Sequence, residues 1–480
     1  MKSNGSLISG VGMMAFLTIA SKVVRLVVLM VTARFLTPDD FGVVAAFSMV
    51  LALAYLFAEF GLVKTLIQRP IINKLHIGSA LILSAFFCLV VFCVLIFESQ
   101  FIEQLTGVVG IKVPLQISSF LFVVLAIGNI CSALFQRNGE IVFIGKVQAF
   151  ATVFGNVFVT VPLLFFDLGY WAIIIGILVG ELFALSVIIW KGKHYITLSC
   201  GVSEVGELIK YSSAFVSHNV LGLISKQVDI ALVGRFFGKV DLGNYSRAMQ
   251  LIEFPNQLYW LIVDRVVFPT MSSMKNEQDK LRYFFVEVYS LLFLILAIGA
   301  IILFCGANEI IFLIMGDGWN AIIVLLQILA ISVVCKCATG FIDSFLAAYG
   351  VIKALTYKNI ISVIIFILSL LVSLDFGLQG VAYAVVFASA VSFFMSIFTA
   401  IYFCHIPLNI FIKSSLPTCI TSLILLLCYS LISSQWSLLG LINILSVVLI
   451  WAILCYLFPS KYLLSTYGEY FILKFKKERR

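Results

Sequence analysis

Charge is what this sequence has least of. Only 11% of its 480 residues are Asp, Glu, Lys or Arg, against 62% hydrophobic, and the mean hydropathy is +1.15. An ordinary globular domain carries roughly 25% charged residues. So little charge cannot clothe a soluble core, which excludes a water-soluble domain and leaves lipid as the solvent. Histidine is scarcer still: the four residues do not cluster, so no metal site is expected. The eleven cysteines show no zinc or redox spacing, and Cys335-x-Cys337 sits mid-helix beside Lys336. They read as small buried apolar residues. There is no nucleophile–base pair and no phosphate-binding glycine loop, and the longest outward loop runs only from about Glu98 to Val113. Neither a catalytic residue nor a cofactor is therefore expected.

What the chain does have is apolar runs. A membrane helix needs about 20 consecutive apolar residues. Such runs recur from end to end without the strict alternation of barrel strands. They place helices at 11–33, 41–67, 76–97, 114–136, 142–166, 170–190, 209–235, 243–269, 283–304, 319–346, 355–374, 378–403, 415–434 and 438–458. The fold class is an all-α integral membrane protein of about 14 transmembrane helices. Lys22 and Arg25 interrupt the first run, so it reads as a retained helix and not a cleaved signal. With the N-terminus in the cytoplasm, 22 of the 31 Lys and Arg, Lys358 among them, fall on the cytoplasmic side. Five fall opposite: Arg34, Lys112, Arg235, Lys239 and Arg247. The positive-inside rule then puts both termini in the cytoplasm. The basic tail reads as an orientation signal and anionic-lipid contact, not a nucleic-acid surface.

The chain also repeats itself. Arg34-Phe35-Leu36-Thr37-Pro38-Asp39-Asp40-Phe41-Gly42 matches Arg235-Phe236-Phe237-Gly238-Lys239-Val240-Asp241-Leu242-Gly243 in the pattern Arg-Phe, four residues, Asp, apolar, Gly, at an offset of 201. Ser21-Lys22-x-x-Arg25 faces Ser225-Lys226-x-x-Asp229 at an offset of 204, and Asp167-Leu168-Gly169 faces Asp375-Phe376-Gly377 at 208. These matches predict two six-helix parallel repeats, 1–200 and 201–405, followed by helices 13 and 14 with the basic tail at 406–480. Two parallel bundles suit alternating access.

With Ala33–Gly42 after a cation-bearing first helix, Phe60-Gly61-Leu62 near the end of the second and Leu134-Phe135-Gln136-Arg137 leaving the fourth, the chain resembles the bacterial polysaccharide flippases. These export O-antigen, colanic-acid and capsule repeat units and belong to the multidrug/oligosaccharidyl-lipid/polysaccharide exporter superfamily. The resemblance implies transport of an undecaprenyl-pyrophosphate-linked oligosaccharide from the cytoplasmic to the periplasmic leaflet of the bacterial inner membrane. It also implies proton or sodium coupling, and partners among lipids and the polysaccharide polymerase and export machinery.

A charge at the centre of a membrane helix costs roughly 2.5–3.5 kcal/mol on insertion scales, which makes each one a functional candidate. Lys22 and Arg25 share a face of the first helix; with Lys64 and Lys226 they form the expected pyrophosphate-binding set. Glu59, Asp229 and Glu253 are the coupling or ion-pair candidates, Glu59 as partner to the Lys22/Arg25 pair and Asp229 to Lys226. Glu181, Glu287, Lys336 and Asp343 are the other charges expected inside the membrane. A buried ion-pair network is the competing reading of all these residues. Two other functions compete: a multidrug exporter of the same superfamily, which calls for buried acid without excess base, and a membrane polysaccharide polymerase or ligase, which calls for a long outward loop. Residues 414–460 hold no charge, so the last hairpin offers an apolar flank with Trp436, Trp451 and Tyr456 as interface anchors.

Overall fold

The computed structural model describes residues 4–197, 199–275, 277–409, 411, 412 and 415. The thirteenth and fourteenth expected spans and the basic tail thus lie, Ser415 apart, outside the described residues. Among the described residues there is no strand, and nine stretches are long and apolar enough to cross a membrane. The chain divides into two units, each taken by itself: residues 1–247 with Ile314–Asp317, and Ala248–Leu313 with the chain from Gly318 onward.

The first unit opens with α1 (Asn4–Phe35) and α2 (Pro38–Glu59). The turn between them is set by the sequence Thr-Pro-Asp-Asp. The Thr37 hydroxyl accepts the Asp40 backbone N–H, and the Asp40 carboxylate accepts the Thr37 N–H at 3.0 Å. Pro38 supplies a preset φ where no donor is needed. The expected single span 41–67 is in fact two helices. Phe60 (φ 43) and Gly61 (φ 67) both turn left-handed, ending α2 and starting α3 (Leu62–Gln68). Then follow α4 (Lys74–Phe97), a short α5 (Ser99–Thr106) within the expected outward loop, and α6 (Lys112–Arg137). The next span runs through α7 (Ile141–Val153), a π-helical stretch Phe154–Thr160 and α8 (Val161–Leu164). The wide turn precedes Pro162, whose missing N–H disrupts the regular ladder. After α9 (Tyr170–Gly192) comes α10 (Val202–Ile262), which breaks at Gly238 (φ 79, ψ −173) and so holds both the seventh span and most of the eighth.

Leu62 and Leu66 of α3, Leu81 of α4, Leu134 of α6 and Leu208 of α10 are buried in one cluster. In lipid the tails are as apolar as these side chains, so close van der Waals packing rather than water exclusion holds the helices together. The segment 202–247 therefore packs as part of the first unit.

The second unit carries the rest of α10, then α11 (Phe268–Ser273), α12 (Gln278–Cys305), α13 (Ala307–Met315, which lends its end to the first unit), α14 (Asn320–Tyr349), α15 (Ile352–Ser373) and α16 (Gly377–Cys404). Phe285 of α12 stacks on Phe341 of α14 with ring centroids 5.3 Å apart, and lies 4.3 Å from Phe345.

Candidate functional site

The first unit gathers charges from four helices. Lys22 and Arg25 stand three apart on α1, half-buried and exposed respectively. The carboxylate on which Arg25 acts electrostatically is Glu181 of α9, not Glu59. Tyr55 of α2 lies beside the same carboxylate, its hydroxyl buried without a hydrogen-bond partner. Glu59, one turn further along α2, faces Lys64 of α3. The Lys64 ammonium in turn donates to the Asn219 side chain of α10 at 2.7 Å. Each acid in this group thus stands beside a cation.

The other two residues of the repeated pattern diverge. Asp229 is 3% exposed, and its carboxylate accepts the hydroxyl of fully buried Tyr245 at 2.8 Å. Lys226 is exposed. Tyr245 lies 16 residues on, across the Gly238 break, so nothing in the local sequence signals the bond.

Arg247, one of the five cations expected on the outward side, is a further functional candidate. The structure puts it within α10, nine residues beyond Gly238, a rise of about 13 Å along the helix. Its guanidinium sits 4.5 Å from the centre of the Phe41 ring. Its Nε is buried without a hydrogen-bond partner, and among the described residues it makes no ion pair. A cation over an aromatic face contributes about 0.5–2 kcal/mol, less than a buried guanidinium loses by leaving water. Arg247 is left with capacity for an anion.

Lys358, one of the cations expected on the cytoplasmic side, is buried within α15 in the second unit. Its ammonium lies 2.6 Å from the Asp343 carboxylate of α14 and 3.0 Å from the Ser396 hydroxyl of α16, and Ser396 donates to Asp343 at 2.8 Å. This is a closed, neutral triangle and reads as structural. Lys358→Met alone is expected to destabilise the protein by about 3–5 kcal/mol, with Lys358→Met plus Asp343→Leu near neutral. Thermal unfolding of the single and double variants checks this. Glu253 also belongs to the second unit, where Asn256 donates to its carboxylate at 3.2 Å and the Cys337 thiol donates to Asn256 at 3.0 Å.

At the end of the first unit that carries α3, Arg137 donates to the carbonyls of Leu66 (2.9 Å), Ile67 (3.3 Å) and Pro70 (2.9 Å). It caps the last turn of α3, whose carbonyls have no helical partner. Arg69 pairs with Glu207 of α10 and holds that carboxyl below the usual carboxylate range, so the pair stays ionised at neutral pH. The His76 Nε2 lies 3.7 Å from the same carboxylate.

At the opposite end, the two copies of the Arg-Phe pattern touch each other. A Cβ on Gly42 would stand 1.8 Å from the Lys239 carbonyl oxygen, and one on Gly243 would stand 1.8 Å from that of Pro38. Only glycine permits either approach. Asp39 and Lys239 add an ion pair of 2.6 Å. Arg235 donates to the Gln104 carbonyl of α5, tying the second copy to a third helix.

A protein-family model described as "Polysaccharide biosynthesis protein" matches residues 31–324. The lipopolysaccharide biosynthesis protein WzxC of Escherichia coli strain K12 is 24% identical over 363 residues, 75% of this chain and 73% of its own length. The probable low-salt glycan biosynthesis flippase Agl15 of Haloferax volcanii is 25% identical over 369 residues, 75% of this chain and 76% of its own. Among solved structures, the lipid II flippase MurJ in an inward closed conformation superposes with a TM-score of 0.75 at 17% identity, covering 92% of this chain and 97% of that one. An inward-facing MATE multidrug-resistance transporter of the MOP superfamily gives 0.62 at 12% identity, covering 80% and 94%. The likeness to these two structures is one of fold. The family match spans more than half of the sequence, and with the helices and charges described above it shows that the chain belongs to the polysaccharide biosynthesis protein family.

Proposed function

We propose that this protein is a flippase that moves an undecaprenyl-pyrophosphate-linked oligosaccharide from the cytoplasmic to the periplasmic leaflet of the inner membrane. The observation that carries this reading is the cationic balance within the first unit. Lys22, Arg25, Lys64, Lys226 and Arg247 of this unit outnumber its intramembrane acids Glu59, Glu181 and Asp229, and Arg247 makes no ion pair among the described residues. A diphosphate is the ligand such a surplus fits: guanidinium binds it through paired hydrogen bonds and ammonium as a point charge. A site for cationic drugs would need the opposite balance. The relatives described as biosynthesis proteins for surface glycans, and the flippase among them, support the same substrate class.

Transport would run by alternating access, with both termini cytoplasmic and a proton or sodium gradient as the driving force. The two-repeat plan behind that mechanism is supported by the mutual contact of the Arg-Phe copies, since a residue pair and its reciprocal meet wherever two like elements face each other across a two-fold axis. Reconstituted protein should render a lipid-linked oligosaccharide, loaded on one leaflet, accessible to a glycan-modifying reagent on the other. Protein-free vesicles should not. Transport of organic cations with no movement of the glycan lipid would favour the multidrug reading instead.

A further inference from the structure

The first segment of α10 is fastened to α3 and α4 by a ladder of four polar contacts. The Ser79 hydroxyl takes the Gly201 N–H at 3.2 Å, Arg69 pairs with Glu207, the Thr65 and Ser212 hydroxyls meet at 3.0 Å, and Lys64 holds Asn219 at 2.7 Å. Two of these rungs are cationic. They are also two of the three cations, Lys64, Arg69 and Lys74, that the charge distribution places in one cytoplasmic loop.

The partners of the cationic rungs are weak competitors for an incoming anion. Asn219 is a neutral amide, and Glu207 is half-exposed with its side chain at 51%. The Arg69 side chain is more sheltered, at 19%, and its Nη1 is buried with no hydrogen-bond partner. The His76 Nε2 beside it is also buried without one. Arg69 therefore keeps an unmet donor, and its present partner Glu207 is the more exposed member of the pair. The two cationic rungs are separate: Glu207 and Asn219 stand twelve residues apart on α10, a rise of about 18 Å, with the Thr65–Ser212 contact between them.

Building on the flippase reading, we infer that this ladder is a substrate-operated latch: a diphosphate headgroup arriving at Arg69 displaces Glu207 and loosens the first segment of α10 from α3. A diphosphate brings more charge and more acceptor oxygens than one carboxylate, and it can meet both Nη atoms of Arg69, one of which is now without a partner. Once the Arg69 rung is taken, the three remaining rungs include no ion pair to hold the helix. Headgroup loading is thereby tied to movement of the first segment of α10. An empty protein stays latched.

Thr65→Cys with Ser212→Cys, on a chain whose eleven native cysteines are replaced, reports the latch directly. In nanodiscs, saturating undecaprenyl pyrophosphate should lower the yield of this disulfide about tenfold, the factor given by a difference of about 1.4 kcal/mol, roughly one charge-assisted contact. Inorganic pyrophosphate at equal concentration should act in the same direction but less, which separates the lipid-linked source from the free one. Oxidised protein should not translocate, and reductant should restore it. Glu207→Gln, which removes the competing charge without touching either cation, should tighten undecaprenyl pyrophosphate binding about tenfold by the same conversion. A disulfide yield unmoved by saturating lipid, or oxidised protein that translocates at the reduced rate, overturns the latch while leaving the flippase reading intact. Reduced protein that binds neither form of pyrophosphate overturns both.

Discussion

Arg25→Ala is expected to lower translocation of an undecaprenyl-pyrophosphate-linked oligosaccharide by about 10- to 100-fold, because a hydrogen bond to a charged group contributes about 1.5–3 kcal/mol. The protein should still insert. Arg25 is exposed on α1, so its truncation removes little packing. Arg25→Lys keeps the charge but loses the planar fork, so it should fall between the two. Lys22→Glu should be the most damaging, since it sets a carboxylate against the phosphates. A purely structural role for Arg25 predicts a different pattern. Its loss would then reduce insertion, and adding Glu181→Gln would restore both insertion and transport by removing the orphaned acid. We expect the second substitution to restore no transport. Liposome assays on matched amounts of inserted protein decide the matter, and wild-type rates for both Arg25→Ala and Lys22→Ala would remove this pair from the substrate path.

The helices themselves were legible because lipid imposes a length and an apolar composition that local sequence must satisfy. The break after the first helix was legible too, but α2 starts at Pro38 and not at the expected 41, because Thr37 and Asp40 cap it. The break at Phe60 and Gly61 was not, because apolar residues continue on both sides and one of the two left-handed residues is a phenylalanine. Burial of charge was misread in one direction. Arg247 and Lys358 lie within a few turns of helix ends, and a count of loop cations assigns such residues to water. In the structure one rests on Phe41 and the other closes a triangle with Asp343 and Ser396. Pairings fared worst. Glu181 was visible as a charge, but its position beside Arg25 depends on α9 lying near α1, and Tyr245 reaches Asp229 only because the chain folds back at Gly238. Composition reports that a charge exists, whereas its partner is a property of the packing.

The repeated Arg-Phe pattern leads to the last expectation. Gly42→Ala and Gly243→Ala should each destabilise the protein by about 3 kcal/mol, at the upper end for overpacking because the obstructing atom is a carbonyl oxygen of the backbone rather than a movable side chain. Pro38 and Gly42 are one turn apart on α2, and Lys239 and Gly243 are one turn apart on α10. Each glycine receives the carbonyl from the first residue of the other pair. A methyl at either glycine must therefore push the same two helices apart, and the separation that relieves one overlap also relieves the other. The double variant should consequently cost little more than either single one, a coupling expected of residues that share one contact. The Asp39–Lys239 ion pair, with both side chains about two-fifths exposed, is too weak to hold the crossing once the backbones part. Unfolding midpoints of the two single variants and the double variant in the same detergent measure this. Fully additive losses would mean that the two glycines sit in independent contacts, and the reciprocal crossing would then have to be given up.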